Sequence, residues 1–317
     1  MTAELQIGTS GYSFSDWVGT VYPEGTRPSD MLKTYAKDFD AVEINFTYYR
    51  DPTPGIFEGM LRKVDSNFEF VVKAPKGMTH ERGAMASVAK SFVGSLKPLI
   101  DSGQLGGVIV QFPQAFHAAD PAMDYLRQVA DVFVPNGIKT SIEFRHNSWN
   151  QDHVYELLQK LQLGFVNVDL PRISALPAPT NIMTNDVAYY RLHGRNKAMW
   201  YNPPTGSHRY DYLYNDEELE EWARRIEDSI QSEATWKVYV FTNNCHKGSS
   251  FVNGLRLKQR FDQHVRTEAV AEQTLFASSD PTERIIELTD RVAAARANEH
   301  DFVEAHIRKL HEERQEQ

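Results

Sequence analysis

Ser141-Ile142-Glu143-Phe144-Arg145-His146-Asn147-Ser148-Trp149 is the stretch on which the fold is read. Ser141, Glu143 and Arg145 alternate with Ile142 and Phe144, and side chains two apart in a strand share a face. One face is therefore polar and doubly charged, the other apolar, and the strand runs out into a polar, aromatic loop. Opposite charges on one face of a buried strand are poor core material and good site material.

Working outward, the pattern recurs. Thr140 to Arg145 is the fifth of eight strand-like segments. Leu5 to Ser10, Ala41 to Phe46, Phe68 to Lys73 and Val108 to Phe112 precede it, and Phe165 to Asp169, Val187 to His193 and Trp236 to Asn243 follow. Apolar residues at helical spacing fill most of the gaps, as in Met31, Leu32, Tyr35, Ala36 and Phe39 or Val154, Leu157, Leu158 and Leu161. Asp120 with Pro121 reads as an N-cap followed by proline in the first turn, and Asn215 with Glu218 as a capping box. After the sixth strand, RISALPAPTNIMTND carries no clear helical period and reads as a loop, or at most a short helical turn. Alternating strand and helix over about 250 residues predicts an α/β fold, a (β/α)8 TIM barrel. A doubly wound sheet is the rival, but Thr9-Ser10-Gly11-Tyr12-Ser13 lacks the glycine fingerprint expected after its first strand. The barrel is expected over 1–262. A C-terminal helical segment over 263–317, opened by Asp280-Pro281, is expected to pack on the barrel or on a second subunit.

Composition narrows the function classes. The net charge is −9 and the pI near 5.7, which disfavours extended nucleic-acid binding. A single cysteine, Cys245, precludes an intrachain disulfide and fits a reducing, cytoplasmic compartment. No signal peptide is readable, and no apolar run approaches the ~20 residues needed to span a bilayer.

In a (β/α)8 barrel the active site lies at the C-terminal ends of the strands. Two-residue alternation puts Glu43 and Asn45 inward from the second strand, Lys73 from the third, Gln111 from the fourth, and Glu143 and Arg145 from the fifth. The sixth is read as supplying Asn167 and Asp169, the seventh Arg191 and His193, and the eighth ends in Asn243 and Asn244. Barrel interiors are normally layered with Val, Ile and Leu, so this mouth is an outlier. A purely structural ion-pair network is the bland reading, but desolvating so many charges costs several kcal/mol per ion, which favours a ligand site. Aromatic loop residues Tyr12, Trp17, Tyr48 and Trp149 suit a sugar ring or a base, with ordinary packing the equal alternative for each one. Arg195 and Lys247, in the loops after strands seven and eight, are placed to clamp phosphate. A divalent metal on Glu143, Asp169 and His193 is the weaker alternative, since Arg145, Arg191 and Lys73 compete for the carboxylates; no cofactor is obligatory. Cys245 beside His246 reads as incidental, because neighbours in an extended segment point apart.

At these residues the chain resembles the YecE-like family of uncharacterised barrel proteins, domain of unknown function 72. The matching stretches are IGTSGYSFSDWVGTVYP, AVEINFTYYR with the following PTP, FEFVVKAPKGMTH, GVIVQFP, SIEFRHNSW, VAYYRLHGR, and VYVFTNNCHKG with NGLRLKQ, spanning about 5–260 in order. The resemblance implies a (β/α)8 fold and no established activity.

The expectation is an enzyme of hydrolase, lyase or isomerase type, acting on a small polar, anionic or sugar-like molecule. Glu143 is the expected acid/base, oriented by Arg145, with Glu43 or Asp169 as second carboxylate and His193 as proton shuttle. Lys73, Arg191 and Arg195 would hold negative charge. The alternative is a non-catalytic binder of a nucleotide, phospho-sugar or single-stranded nucleic acid.

Overall fold

A computed structural model describes residues 3–263 and 280–315. Eight parallel strands form one sheet: β1 (Glu4–Thr9), β2 (Ala41–Ile44), β3 (Glu69–Lys73), β4 (Leu105–Gln111), β5 (Thr140–Glu143), β6 (Gly164–Asp169), β7 (Val187–Leu192) and β8 (Lys237–Thr242). From β2 to β8 each strand is hydrogen-bonded to the next, and β1 pairs with β8. The seam between β1 and β2 is closed at the mouth by the Ser10–Glu43 bridge, where the Gly11 N–H donates to the Glu43 carbonyl at 2.8 Å. Lower on that seam the backbones approach so closely that a Cβ on Gly8 would stand 2.2 Å from the Ala41 carbonyl oxygen, so only glycine fits. The fold is the expected (β/α)8 barrel.

The helices α1 (Pro28–Tyr35), α2 (Pro54–Leu61), α3 (Met85–Ser95), α4 (Lys97–Asp101), α5 (Asp120–Phe133), α6 (Asp152–Lys160), α7 (Asp216–Gln231) and α8 (Ser249–Arg260) surround the strands. No helix separates β6 from β7, as the proline-rich loop there predicts. α5 begins one residue earlier than its sequence suggests: Ala119 is the cap, and Asp120 sits in the first turn, where its charge complements the helix dipole. The capping box of α7 is complete, with Asn215 accepting from the Glu218 N–H at 2.9 Å and Glu218 accepting from the Asn215 N–H at 3.1 Å. Asn215→Ala is expected to lower stability by about 1 kcal/mol in urea unfolding; no change in midpoint would show the cap to be idle.

Beyond the barrel, α9 (Pro281–Ala297) is capped by Asp280 and buries Ile285, Leu288 and Val292 in the main hydrophobic core. α10 (His300–Gln315) follows it. Among the described residues no helix is long and apolar enough to cross a membrane.

The barrel lumen is layered. Near the N-terminal end, Glu69 accepts from Lys237 and Tyr239. Above them lies an apolar plug that includes Val71, Ile109, Val166, Val168, Tyr189 and Phe241. At the C-terminal end the lumen turns charged.

Candidate functional site

Arg191 is the hub of the charged layer. It reaches inward from β7 and is almost wholly buried, and it bridges two carboxylates. One guanidinium nitrogen, Nη2, donates to Glu43 Oε1 at 2.6 Å and to Ser10 Oγ at 3.3 Å. The other, Nη1, donates to Glu143 Oε2. Arg145, at the end of the fifth-strand segment, takes the remaining Glu143 oxygen through Nε. The Tyr189 hydroxyl, two residues below Arg191 on the same face, donates to Glu43 Oε2 at 2.7 Å. Both carboxylates are 0% exposed and have both oxygens occupied.

His193 packs beside this lattice. Its Nδ1 lies 2.7 Å from Asn243 Nδ2, which assigns the acceptor role to Nδ1 and leaves Nε2 to face Glu143 Oε1 at 3.4 Å. Burial, together with Arg145, pushes His193 down to about 3, so the ring is neutral at physiological pH. For Glu143 burial pulls the other way and would raise its pKa. Arg145, Arg191 and His193 outweigh it and hold the carboxyl well below the usual carboxylate range. Burial also disfavours the charged Arg191, but Glu143 and Glu43 more than compensate and secure its proton.

Lys73 is the exception. Two carboxylates and two guanidiniums already balance, so the Lys73 ammonium is surplus charge. Its Nζ donates to Gln111 Oε1 at 2.7 Å and lies 4.7 Å from the centre of the Tyr48 ring. Burial first, then Arg191, push its pKa down to about 7.

A cavity of about 490 Å³ opens above this layer, within the size range of small-molecule sites. Lys73, Arg145, Arg191, Asn45, Gln111 and Asn243 reach its floor and walls, with Tyr12 at the side. Glu43, Glu143 and His193 do not line it; they lie beneath, holding the cations that do. Seven of the residues expected at the site thus surround one space, three support it, and Tyr48 flanks Lys73.

Seven expected residues go elsewhere. The sixth strand runs in the opposite phase from the one read in its sequence. Val166 and Val168 enter the lumen plug, so Asn167 and Asp169 point outward toward the helices. Asn167 holds the loop before β7 through Thr180 and the Ile182 backbone. Asp169 accepts from Arg195 at 2.8 Å, Tyr214 at 2.7 Å and Arg172 at 3.1 Å, forming a second ion cluster outside the lumen. Arg195 is spent there and on Glu221. Asn244 bonds Asn253 and the Tyr212 carbonyl, and Lys247 pairs with Glu299 at 2.7 Å. Trp17 and Trp149 are fully buried, their indole N–H groups donating to the carbonyls of Cys245 and Phe116. Glu143, Asp169 and His193 therefore do not converge on one ion. Cys245 remains a thiol, pushed up to about 12 by burial.

Other lining residues escaped the sequence reading. Ser10 continues the inward face of β1 and was available from the same alternation. Asp16 and Ser207 sit on single helical turns between the strands and helices, too short for any periodicity to place a side chain.

The family model described as protein of unknown function DUF72 matches residues 6–275. The chain belongs to the DUF72 family. The UPF0759 protein YunF of Bacillus subtilis is 30% identical over 292 residues, covering 86% of this chain and all of YunF. A DUF72 family protein from Thermotoga maritima superposes with a TM-score of 0.75 at 37% identity, covering 82% of this chain and all of that one. A DUF72 family protein from Enterococcus faecalis gives 0.72 at 25% identity, covering 84% and 99%. The DUF72 match begins within β1, includes β2 to β8 and the whole charged layer, and ends before α9 and α10.

Proposed function

We propose that the barrel mouth binds a small anionic, polar molecule and that Lys73 exchanges a proton with it. One observation carries this reading: cations line the cavity, while the carboxylates that hold them are sealed below. A ligand therefore meets Lys73, Arg145 and Arg191 as donors, with Asn45, Gln111 and Asn243 beside them, an arrangement suited to carboxylate or phosphate oxygens.

A half-buried amine with its pKa pushed down to about 7 is suited to general acid/base work at neutral pH. Glu143, the acid/base candidate by sequence, is less suited, being fully ionised, bonded to two arginines and without exposed surface. In this reading Glu143 and Glu43 fix the two guanidiniums in place, and His193 is a neutral brace. The reaction class remains hydrolase, lyase or isomerase.

Thermal-shift measurements at pH 6.5 against carboxylic acids, phosphorylated sugars and nucleotides test the reading. An anion is expected to raise the melting temperature where its uncharged analogue does not; equal responses to charged and uncharged members would remove the cationic floor from recognition. Asp169→Asn serves as a control. It is expected to lower stability by about 1–3 kcal/mol through lost charged hydrogen bonds, yet leave anion affinity within about twofold.

A second reading, non-catalytic binding of a nucleotide, phospho-sugar or single-stranded nucleic acid, is favoured by the aromatic rim. Tyr12, Phe14, Phe46 and the 79%-exposed Tyr49 stand around the cationic floor as a stacking surface. Saturable turnover favours the enzyme; oligonucleotide binding that weakens steeply with salt favours the binder.

A further inference from the structure

We propose that His208, His246 and Glu299 form a binding site for a divalent transition-metal ion, zinc in ligand type, joining the barrel mouth to the C-terminal helices. The three residues come from separate parts of the chain. His208 lies on the short turn Gly206–Tyr210 after β7, and His246 opens the turn His246–Gly248 after β8. Glu299 lies between α9 and α10.

One ligand atom from each lies within 4.8 Å of the others. Glu299 Oε2 is 3.0 Å from His246 Nε2 and 3.4 Å from His208 Nε2. In a tetrahedral site with metal–ligand bonds of about 2.0–2.1 Å, ligand atoms stand about 3.3 Å apart. The two separations from Glu299 bracket that value, and the two imidazole nitrogens, within 4.8 Å of each other, complete the triangle.

Neighbouring groups prepare the ligands. His208 is 5% exposed, and its Nδ1 lies 2.8 Å from Thr205 Oγ1, an oxygen able to accept the Nδ1 proton. The lone pair is then left on Nε2, which has no hydrogen-bond partner among the described residues although it is buried. Glu299 meets Lys247 through Oε1 at 2.7 Å, which orients the carboxylate and frees Oε2 for the imidazoles. Two imidazoles and a carboxylate are a zinc-type set with room for a fourth ligand.

Glu299 lies outside the 6–275 family match, so the site requires the C-terminal segment in addition to the barrel. His246 also lines the cavity, but the proposal does not depend on what that cavity binds.

The full-length protein, stripped with chelator and dialysed, is titrated with Zn²⁺ and separately with Co²⁺. Uptake of one ion per chain is expected, with the intense visible bands of four-coordinate cobalt and a rise in melting temperature on zinc addition. Glu299→Gln and His208→Gln should each weaken zinc binding by at least about tenfold. Circular dichroism of the metal-free variants checks their fold, and His246→Gln replaces either variant that fails to fold. Absence of stoichiometric uptake, or uptake unchanged in the folded variants, would overturn the proposal and leave a His–Glu–Lys network that only fastens the extension.

Discussion

Replacing Arg191 by methionine is expected to lower the unfolding free energy by about 3–5 kcal/mol, the cost of leaving buried carboxylates without their counter-charge. Methionine fills much of the volume, so the loss is electrostatic. Glu43 would retain only the Tyr189 hydroxyl, and Glu143 only Arg145 and the neutral His193. The deficit should narrow as pH falls, because protonation removes the uncompensated charge. Urea midpoints at neutral and mildly acidic pH measure both effects. A loss below about 1 kcal/mol, or one independent of pH, would mean that the layer is hydrated and loosely paired.

Lys73→Met is expected to act in the opposite direction on stability and to remove function. The folded-state pKa of Lys73 is about 7, against about 10.4 for an unfolded lysine. Between those values the unfolded chain holds a proton that the folded chain lacks, so this group's contribution to stability rises with pH from about 7 to about 10 and is least favourable below 7. The methionine variant should lose that slope and gain most, relative to the native chain, at pH 6. Anion binding should change in the reverse sense: affinity in the native protein declines above pH 7 as the ammonium deprotonates, and in the variant it is weak and flat. If Lys73 moves a proton in catalysis, turnover should fall by about 10²–10⁴-fold. Paired stability and binding profiles from pH 6 to 9 check this. A native protein with no slope in either would contradict the assigned titration.

The barrel was legible because each strand boundary is marked by a change of period and because most inward faces announce themselves with a charged residue. Alternation alone put Glu43, Lys73, Gln111, Glu143, Arg145 and Arg191 on inward faces at the mouth. That rule fixes the period but not the phase, and the sixth strand exposed the gap. Phe165-Val166-Asn167-Val168-Asp169 fits either way, and the lumen took the two valines because a layered interior needs apolar volume at that level. Asp169 then found Arg195 and Tyr214, partners that no local pattern reveals. The same limit applies to Lys247, claimed by Glu299 from the far end of the chain. Trp17 and Trp149 were read as ligand surfaces, whereas Trp149 stacks between Phe116 and Phe144 as core. An aromatic in a loop shows only that something flat is needed there.

Diffraction from crystals soaked in tungstate, a heavy oxyanion, tests the cationic floor most directly. An anion is expected within hydrogen-bonding distance of at least two of Lys73, Arg145 and Arg191 at pH 6.5, and its loss is expected in Lys73→Met. Tungstate bound instead against Arg195 or Lys247, with none on the floor of the cavity, would contradict it.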